Sequence, residues 1–301
     1  MKIGVHVPQW GGSATRSGVL DVAQAAEVSG LDSVWVADHL VFPVKSESQY
    51  PYRPDGVPFD LQDGFLEALT ELAVVAGGTS RVGLGTSVLV LPMRDPLTTA
   101  KVATTIDVLS EGRLQLALGA GWWQEEFEAL GQAFAGRGAR MDEQIDILRS
   151  VWSSPTFAHN GASYNFPELS CTPLPAQAGG PPLLIGGMNP AALKRAAQRG
   201  DGWHAVGADL EVFAKNRARL DDLAREAGRD PSEVIMSTSA GLSTNPDRAI
   251  GRLRDLAEVG VSQVVLNFAG GAAEIIERIG WLAEHVLPAL DREGEPQPSL
   301  D

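Results

Sequence analysis

Cysteine is almost missing from this chain of 301 residues: Cys171 stands alone. One thiol cannot close an intramolecular disulfide, which excludes a disulfide scaffold and a thiolate zinc site and fits a reducing cytoplasm. Positive charge is also short. Lys and Arg number 24 against 38 Asp and Glu, a net charge of −14. Such a balance disfavours nonspecific nucleic acid and anionic membranes as partners. No apolar run approaches the roughly 18 residues of a membrane span. The opening MKIGVHVPQWGG breaks at Pro8 and the glycines before a signal-peptide core can form. Metal-ligand spacings such as His-x-His, Cys-x-x-Cys or His-Glu-x-x-His are absent as well. His6 and His204 both lie near strand ends; His6 is expected to be a pocket wall, and His204 is followed by no second ligand, so no metal site is expected. No Gly-x-Ser-x-Gly elbow surrounds Ser87, and Gly119-Ala120-Gly121 lacks the third glycine and the acid of a dinucleotide fingerprint.

What the chain has instead is rhythm. Strand patterns fall at Ile3–Val7, Ser33–Ala37, Val82–Ser87, Leu114–Leu118, Leu183–Ile185, Gly202–Ala205, Val234–Ser239 and Gln263–Asn267. Helical patterns follow them, among them Gly18–Ser29, Pro96–Leu109, Gln124–Leu130, Arg140–Trp152, Pro190–Gln198, Leu210–Ala227, Asp247–Glu258 and Ala272–Val286. Eight βα units over residues 1–290 predict a single α/β domain, a (β/α)8 TIM barrel rather than an open doubly wound sheet. Two stretches interrupt the rhythm, Leu40–Asp63 after strand two and the proline-rich Ser153–Pro182 after strand four. Loops on the carboxyl face of a barrel commonly form lids or substrate walls, although either stretch could be plain surface connection. The charged tail 291–301 is expected to be disordered.

The carboxyl ends of parallel strands are where ligands sit. Strand three ends in Gly85-Thr86-Ser87 and strand four in Gly119-Ala120-Gly121, yet neither loop offers a nucleophile or an acid–base pair. Glycine, backbone and the tryptophans Trp122 and Trp123 imply that a bound cofactor carries the chemistry. Asp38 and His39 emerge where strand two ends. A histidine there can exchange a proton near neutral pH, with the neighbouring carboxylate orienting it; the alternative is a capping Asp38 over a packed His39. Gly186-Gly187 ends strand five, and Asn189-Pro190 opens the next helix. That turn suits a phosphate or another anion, or is simply a tight turn. Trp122, Trp123 and Trp203 could stack on a ring system or belong to the core.

Taken in order, several segments resemble the bacterial luciferase-like monooxygenase superfamily, and most closely its coenzyme F420-dependent branch. They are AAEVSGLDSVWVADH at Ala25–His39, TSRVGLGTSVLVLP at Thr79–Pro92, ATTIDVLSEGR at Ala103–Arg113, LGAGWWQEEFEALG at Leu118–Gly131, PPLLIGG at Pro181–Gly187 and AAQRGDGW at Ala196–Trp203. The resemblance implies a barrel with insertions, usually dimeric, holding its cofactor at the carboxyl face. It implies that His39 is the proton acceptor or donor, with Asp38 beside it at the pocket. Ser87-Val88 matches a non-prolyl cis peptide whose bulge backs the ring. Gly119, Ala120, Gly121 and Trp122 would lie along the ring edge, and Gly186, Gly187 and Met188 would hold the tail phosphate. Relatives that oxidise glucose 6-phosphate carry a glutamate where Trp122 stands here. They also carry a lysine in the stretch that here reads Ala205-Val206-Gly207-Ala208. A phosphorylated sugar is thus not the expected substrate, and Trp122 suggests an apolar wall. Glu125 and Glu126 are either acids of the site or partners of a helix dipole. Three readings follow. The first is an F420-dependent oxidoreductase transferring hydride to or from a small organic molecule. The second is an FMN-dependent monooxygenase fed by a separate flavin reductase. The third is a cofactor-binding protein without turnover.

Overall fold

The structure is a computed structural model that describes residues 1–51, 63–207 and 209–291. Its strands in chain order are β1 (Lys2–His6), β2 (Ser33–Val36), β3 (Gly83–Val90), β4 (Leu114–Gly119), β5 (Thr156–Asn160), β6 (Asn165–Ser170), β7 (Leu183–Gly186), β8 (Gly202–Val206), β9 (Ile235–Ala240) and β10 (Gln263–Leu266). All except β5 and β6 are parallel and close into one eight-stranded barrel. Each barrel strand matches a strand pattern of the sequence to within a few residues, and β1 completes the barrel by pairing with both β2 and β10. The expected (β/α)8 architecture is therefore observed. Strands such as Ser33–Val36 and Gln263–Leu266 are buried throughout, because one face meets the barrel interior and the other meets helices.

The helices between them are α1 (Arg16–Val28), α2 (Ala68–Gly78), α3 (Pro96–Leu109), α4 (Gln124–Ala129), α5 (Arg137–Ser153), α6 (Pro190–Arg199), α7 (Leu210–Glu226), α8 (Pro246–Glu258), α9 (Ala272–His285) and α10 (Leu287–Asp291). One device opens three of them. Asp95, Asn189 and Asn245 accept backbone N–H groups as N-caps, and a proline follows at the first helical position of α3, α6 and α8. The cap satisfies an orphan donor, and the proline occupies the one place where its missing N–H costs nothing.

The barrel interior is filled by a small plug of Trp35, Ala117, Leu184 and Val265, with Val88 and Ile235 packed against it. Two glycines make the plug possible. A Cβ on Gly4 or on Gly85 would lie 2.5 Å from an atom of the Trp35 indole. The indole N–H is satisfied inside the plug by donating to Ser33 Oγ at 2.8 Å, which avoids the roughly 1–3 kcal/mol of a buried unpaired donor.

The insertion after β4 differs from expectation. The prolines of Ser153–Pro182 point to a loop, but the segment holds an antiparallel hairpin of β5 and β6. Glu143 on α5 ties down its turn by accepting the Ser163 and Tyr164 N–H groups. Helix α2 is likewise an element that the sequence pattern does not mark. The tail residues 292–301, residues 52–62 of the first insertion and Ala208 lie outside the described residues. Among the described residues no helix is long and apolar enough to cross a membrane, and no group of acidic, histidine and cysteine side chains could hold a metal ion.

Candidate active site

The floor of the barrel's carboxyl mouth is built by one bulge and two glycines. Pairing of β3 with β4 slips between Ser87 and Leu89, which makes Val88 the extra residue of a β-bulge. The Ser87–Val88 peptide is cis. The Val88 side chain lies between strands β4 and β7. A Cβ on Gly119 would be 2.5 Å from Val88 Cγ2, and one on Gly186 would be 2.7 Å from Val88 Cγ1. Three expected site residues, far apart in sequence, thus meet at one point, and the close approach requires both glycines. Beside them the chain turns through Gly121 at φ +79° and Gly187 at φ +115°, backbone that favours glycine. The Gly187 carbonyl accepts the Trp203 indole N–H at 2.7 Å, which fixes the turn from behind. Ala120 and Met188 are half-buried against the main core.

Beneath this floor runs a short polar chain. Ser87 Oγ is 2.9 Å from His204 Nε2, and His204 Nδ1 is 2.9 Å from Ser237 Oγ. The His204 ring stacks on Trp35 and is fully buried. Burial, followed by the neighbouring His6, lowers its pKa to about 3, and burial lowers His6 to about 4. Both rings are therefore neutral at physiological pH and act as hydrogen-bonding spacers.

His39 lies three residues past the end of β2 and is ringed by aromatic side chains. Trp123, Phe42, Phe65 and Trp122 have ring centroids 5.5, 5.6, 5.8 and 6.2 Å from its own. Trp122 stacks on Trp123 at 4.8 Å and meets Tyr50 edge-on. Both tryptophans thus belong to the wall around His39. The carboxylate facing the imidazole comes from 87 positions away: Glu126 Oε2 lies 2.8 Å from His39 Nδ1. Its other oxygen accepts the Leu40 N–H at 2.7 Å and the Val41 N–H at 3.3 Å. The side chain is only 2% exposed.

Its neighbour Glu125 holds the same loop further along. It accepts the Ser48 hydroxyl at 2.7 Å and the Glu47 N–H at 2.6 Å. These hydrogen bonds, Ser48 first, lower its pKa to about 2. The Trp123 indole N–H donates to Ser46 Oγ at 2.8 Å. With the Gln124 N–H donating to Ser48 Oγ at 3.3 Å, four consecutive positions, 123–126, stitch residues 39–48 across the mouth.

Asp38 has a different setting from His39. Its buried carboxylate accepts from Arg94 through both oxygens and from the Val90 N–H at 2.9 Å. Burial pushes this carboxyl up, while the Arg94 guanidinium pulls it down. Arg94 also reaches Glu67 at 2.8 Å, the N-cap of α2. The Asp38–Arg94 pair thus locks β2 to the end of β3 and to α2. The sequence signals neither Arg94 nor the contact that Glu126 makes. Arg94 carries no motif, and the position of Glu126 suggests no more than a site acid or a dipole partner.

A family model described as luciferase-like monooxygenase matches residues 1–278. The chain belongs to that family. An uncharacterised Mycobacterium tuberculosis protein is 36% identical to it over 252 residues, 83% of this chain and 84% of its own length. The F420-dependent glucose-6-phosphate dehydrogenase of Amycolatopsis mediterranei is 29% identical over 267 residues, 85% of this chain and 74% of the relative. Among solved structures, the monooxygenase RslO1 of Streptomyces bottropensis superposes with a TM-score of 0.81 at 22% identity. That match covers 96% of this chain and all of the other, a likeness of fold. Membership of this family, with F420-dependent dehydrogenases among the relatives, supports an oxidoreductase with a deazaflavin or flavin cofactor.

Proposed function

We propose that this protein is an F420-dependent oxidoreductase acting on a non-phosphorylated organic substrate, with His39 as the group that takes up or releases the proton. The observation that carries the reading is the pairing of His39 with Glu126 at a mouth whose floor offers no reacting side chain of its own. An F420-dependent dehydrogenase among the relatives supports the choice of cofactor.

The residues present fit a flat ring system. Val88 between Gly119 and Gly186 gives an apolar floor with no Cβ on either flank, and the turns at Gly121 and Gly187 bring backbone close at two sides. Met188 and the N-terminus of α6, capped by Asn189, continue from the second turn. These residues would hold the deazaflavin, which when bound supplies a hydride acceptor or donor. The side chains do the rest. Trp122, Trp123, Phe42 and Phe65 exclude water around His39 and offer an apolar surface to the substrate. His39 holds or moves the proton of the alcohol or carbonyl oxygen undergoing reaction. Asp38 stays with Arg94 and keeps β2 in register with the floor.

Anaerobic titration with F420 and, separately, with FMN tests this reading. Saturable quenching of tryptophan fluorescence by F420 and none by FMN is expected. Saturable binding of FMN with no response to F420 refutes the deazaflavin assignment and favours the flavin monooxygenase.

A further inference from the structure

Glu126 is buried, and its two oxygens are divided between two tasks. Oε1 takes the Leu40 and Val41 N–H groups, and Oε2 faces His39 Nδ1 at 2.8 Å. A carboxylate only accepts hydrogen bonds, so the short contact requires the proton on Nδ1. In a neutral imidazole the other ring nitrogen is then the basic one. The aromatic rings packed around His39 hold the imidazole plane, and the Leu40 and Val41 N–H groups hold the carboxylate, so neither partner can turn away without breaking contacts.

We propose that Glu126 is a positioning residue that fixes the tautomer of His39, placing the proton on Nδ1 and leaving Nε2 as the nitrogen that exchanges a proton with substrate. Glu126 itself touches no reacting atom. The catalytic half of this inference rests on the function proposed above; the tautomer does not. Glu126→Gln separates the two tasks. The amide oxygen can still accept from Leu40 and Val41, so the loop anchor survives. The amide nitrogen then faces Nδ1 and can only donate, which forces the ring proton onto Nε2.

The test is a two-bond 15N–1H correlation spectrum of the full chain labelled at histidine, recorded without cofactor above the ordinary histidine titration range. Five histidines give few signals, and His39→Gln identifies the one of interest. The expected result is an Nδ1–H pattern for His39 in the wild type and an Nε2–H pattern in Glu126→Gln. An Nε2–H pattern in the wild type, read without any variant, overturns the proposal, as does an unchanged pattern in Glu126→Gln. With F420 and a turned-over substrate, Glu126→Gln should keep the cofactor dissociation constant and lose roughly 10²-fold or more in kcat, the scale of general acid–base catalysis. A tautomer that switches with kcat unchanged overturns the catalytic half. A tautomer that switches in a protein that binds no F420 upholds the positioning role and refutes the cofactor assignment.

Discussion

Replacing Gly119 by alanine is the sharpest probe of how the floor of the mouth is built. The backbone of Gly119 is not among the glycines with positive φ, so alanine is acceptable there on conformational grounds. The cost is steric: the new Cβ lies 2.5 Å from Val88 Cγ2, well inside van der Waals contact. Room for Val88 to retreat toward β7 is small, because its other methyl already fills the space left by the missing Gly186 side chain, 2.7 Å from where a Cβ would stand. Overpacking of this kind costs about 1–3 kcal/mol. For a chain of this size that lowers the thermal midpoint by roughly 2–5 °C. Val88→Ala removes both methyls and leaves room for the new Cβ. In that background Gly119→Ala should be nearly neutral, which gives a coupling of roughly 1–3 kcal/mol in a double-mutant cycle. Differential scanning calorimetry on the four proteins reads the cycle. If Gly119→Ala costs as much in the Val88→Ala background as in the wild type, Val88 is not wedged against Gly119 and the steric reasoning fails.

Three further outcomes follow from buried charge. Arg94→Leu strands the Asp38 carboxylate and should cost about 3–5 kcal/mol in urea denaturation, part of which Asp38→Asn in the same chain restores; equal loss in both proteins contradicts the pair. His6 and His204 stay neutral in the fold until about pH 4 and about pH 3, whereas unfolded histidines charge at 6.5. The unfolded chain therefore binds more protons below 6.5, and stability falls by about 1.4 kcal/mol per pH unit for each ring; His204→Asn should flatten that acid slope in midpoint-versus-pH scans. Glu71 on α2 lies buried with both carboxyl oxygens lacking a partner among the described residues. Burial, helped by Glu67, pushes its pKa up to about 9. Its folded form holds a proton that the unfolded form loses above the ordinary carboxyl range, so stability drains away as pH rises toward about 9. Glu71→Gln should remove that decline, and an unchanged pH profile would show that Glu71 is not protonated in the fold.

The barrel is legible in the sequence because each strand is buried on both faces and writes a short apolar run, while proline and capping side chains mark helix starts such as Asp95-Pro96 and Asn189-Pro190. The glycine turns are legible because only close approach or positive φ demands glycine at Gly119, Gly121 and Gly187. The β5–β6 hairpin is not, since its strands expose most residues and its alternation is broken by a register shift and by Pro167. Helix α2 ends in Gly77-Gly78 and carries Glu71 on its buried side, which blurs its apolar face. Asp38 stands out because it adjoins His39, yet adjacent residues on an extended strand end point to different sides. Glu126 arrives from another element, and a single sequence holds no trace of a contact across 87 positions.

The most direct measurement is an intermolecular NOE experiment on methyl-labelled protein with oxidised F420, which carries a proton at the reactive C5 of its ring. Cross-peaks between that ring and the Val88 methyls, with shifts concentrated at Val88 and its neighbours, are the predicted result. F420 that fails to bind, or that binds with no contact to Val88, contradicts the placement of the deazaflavin on this floor.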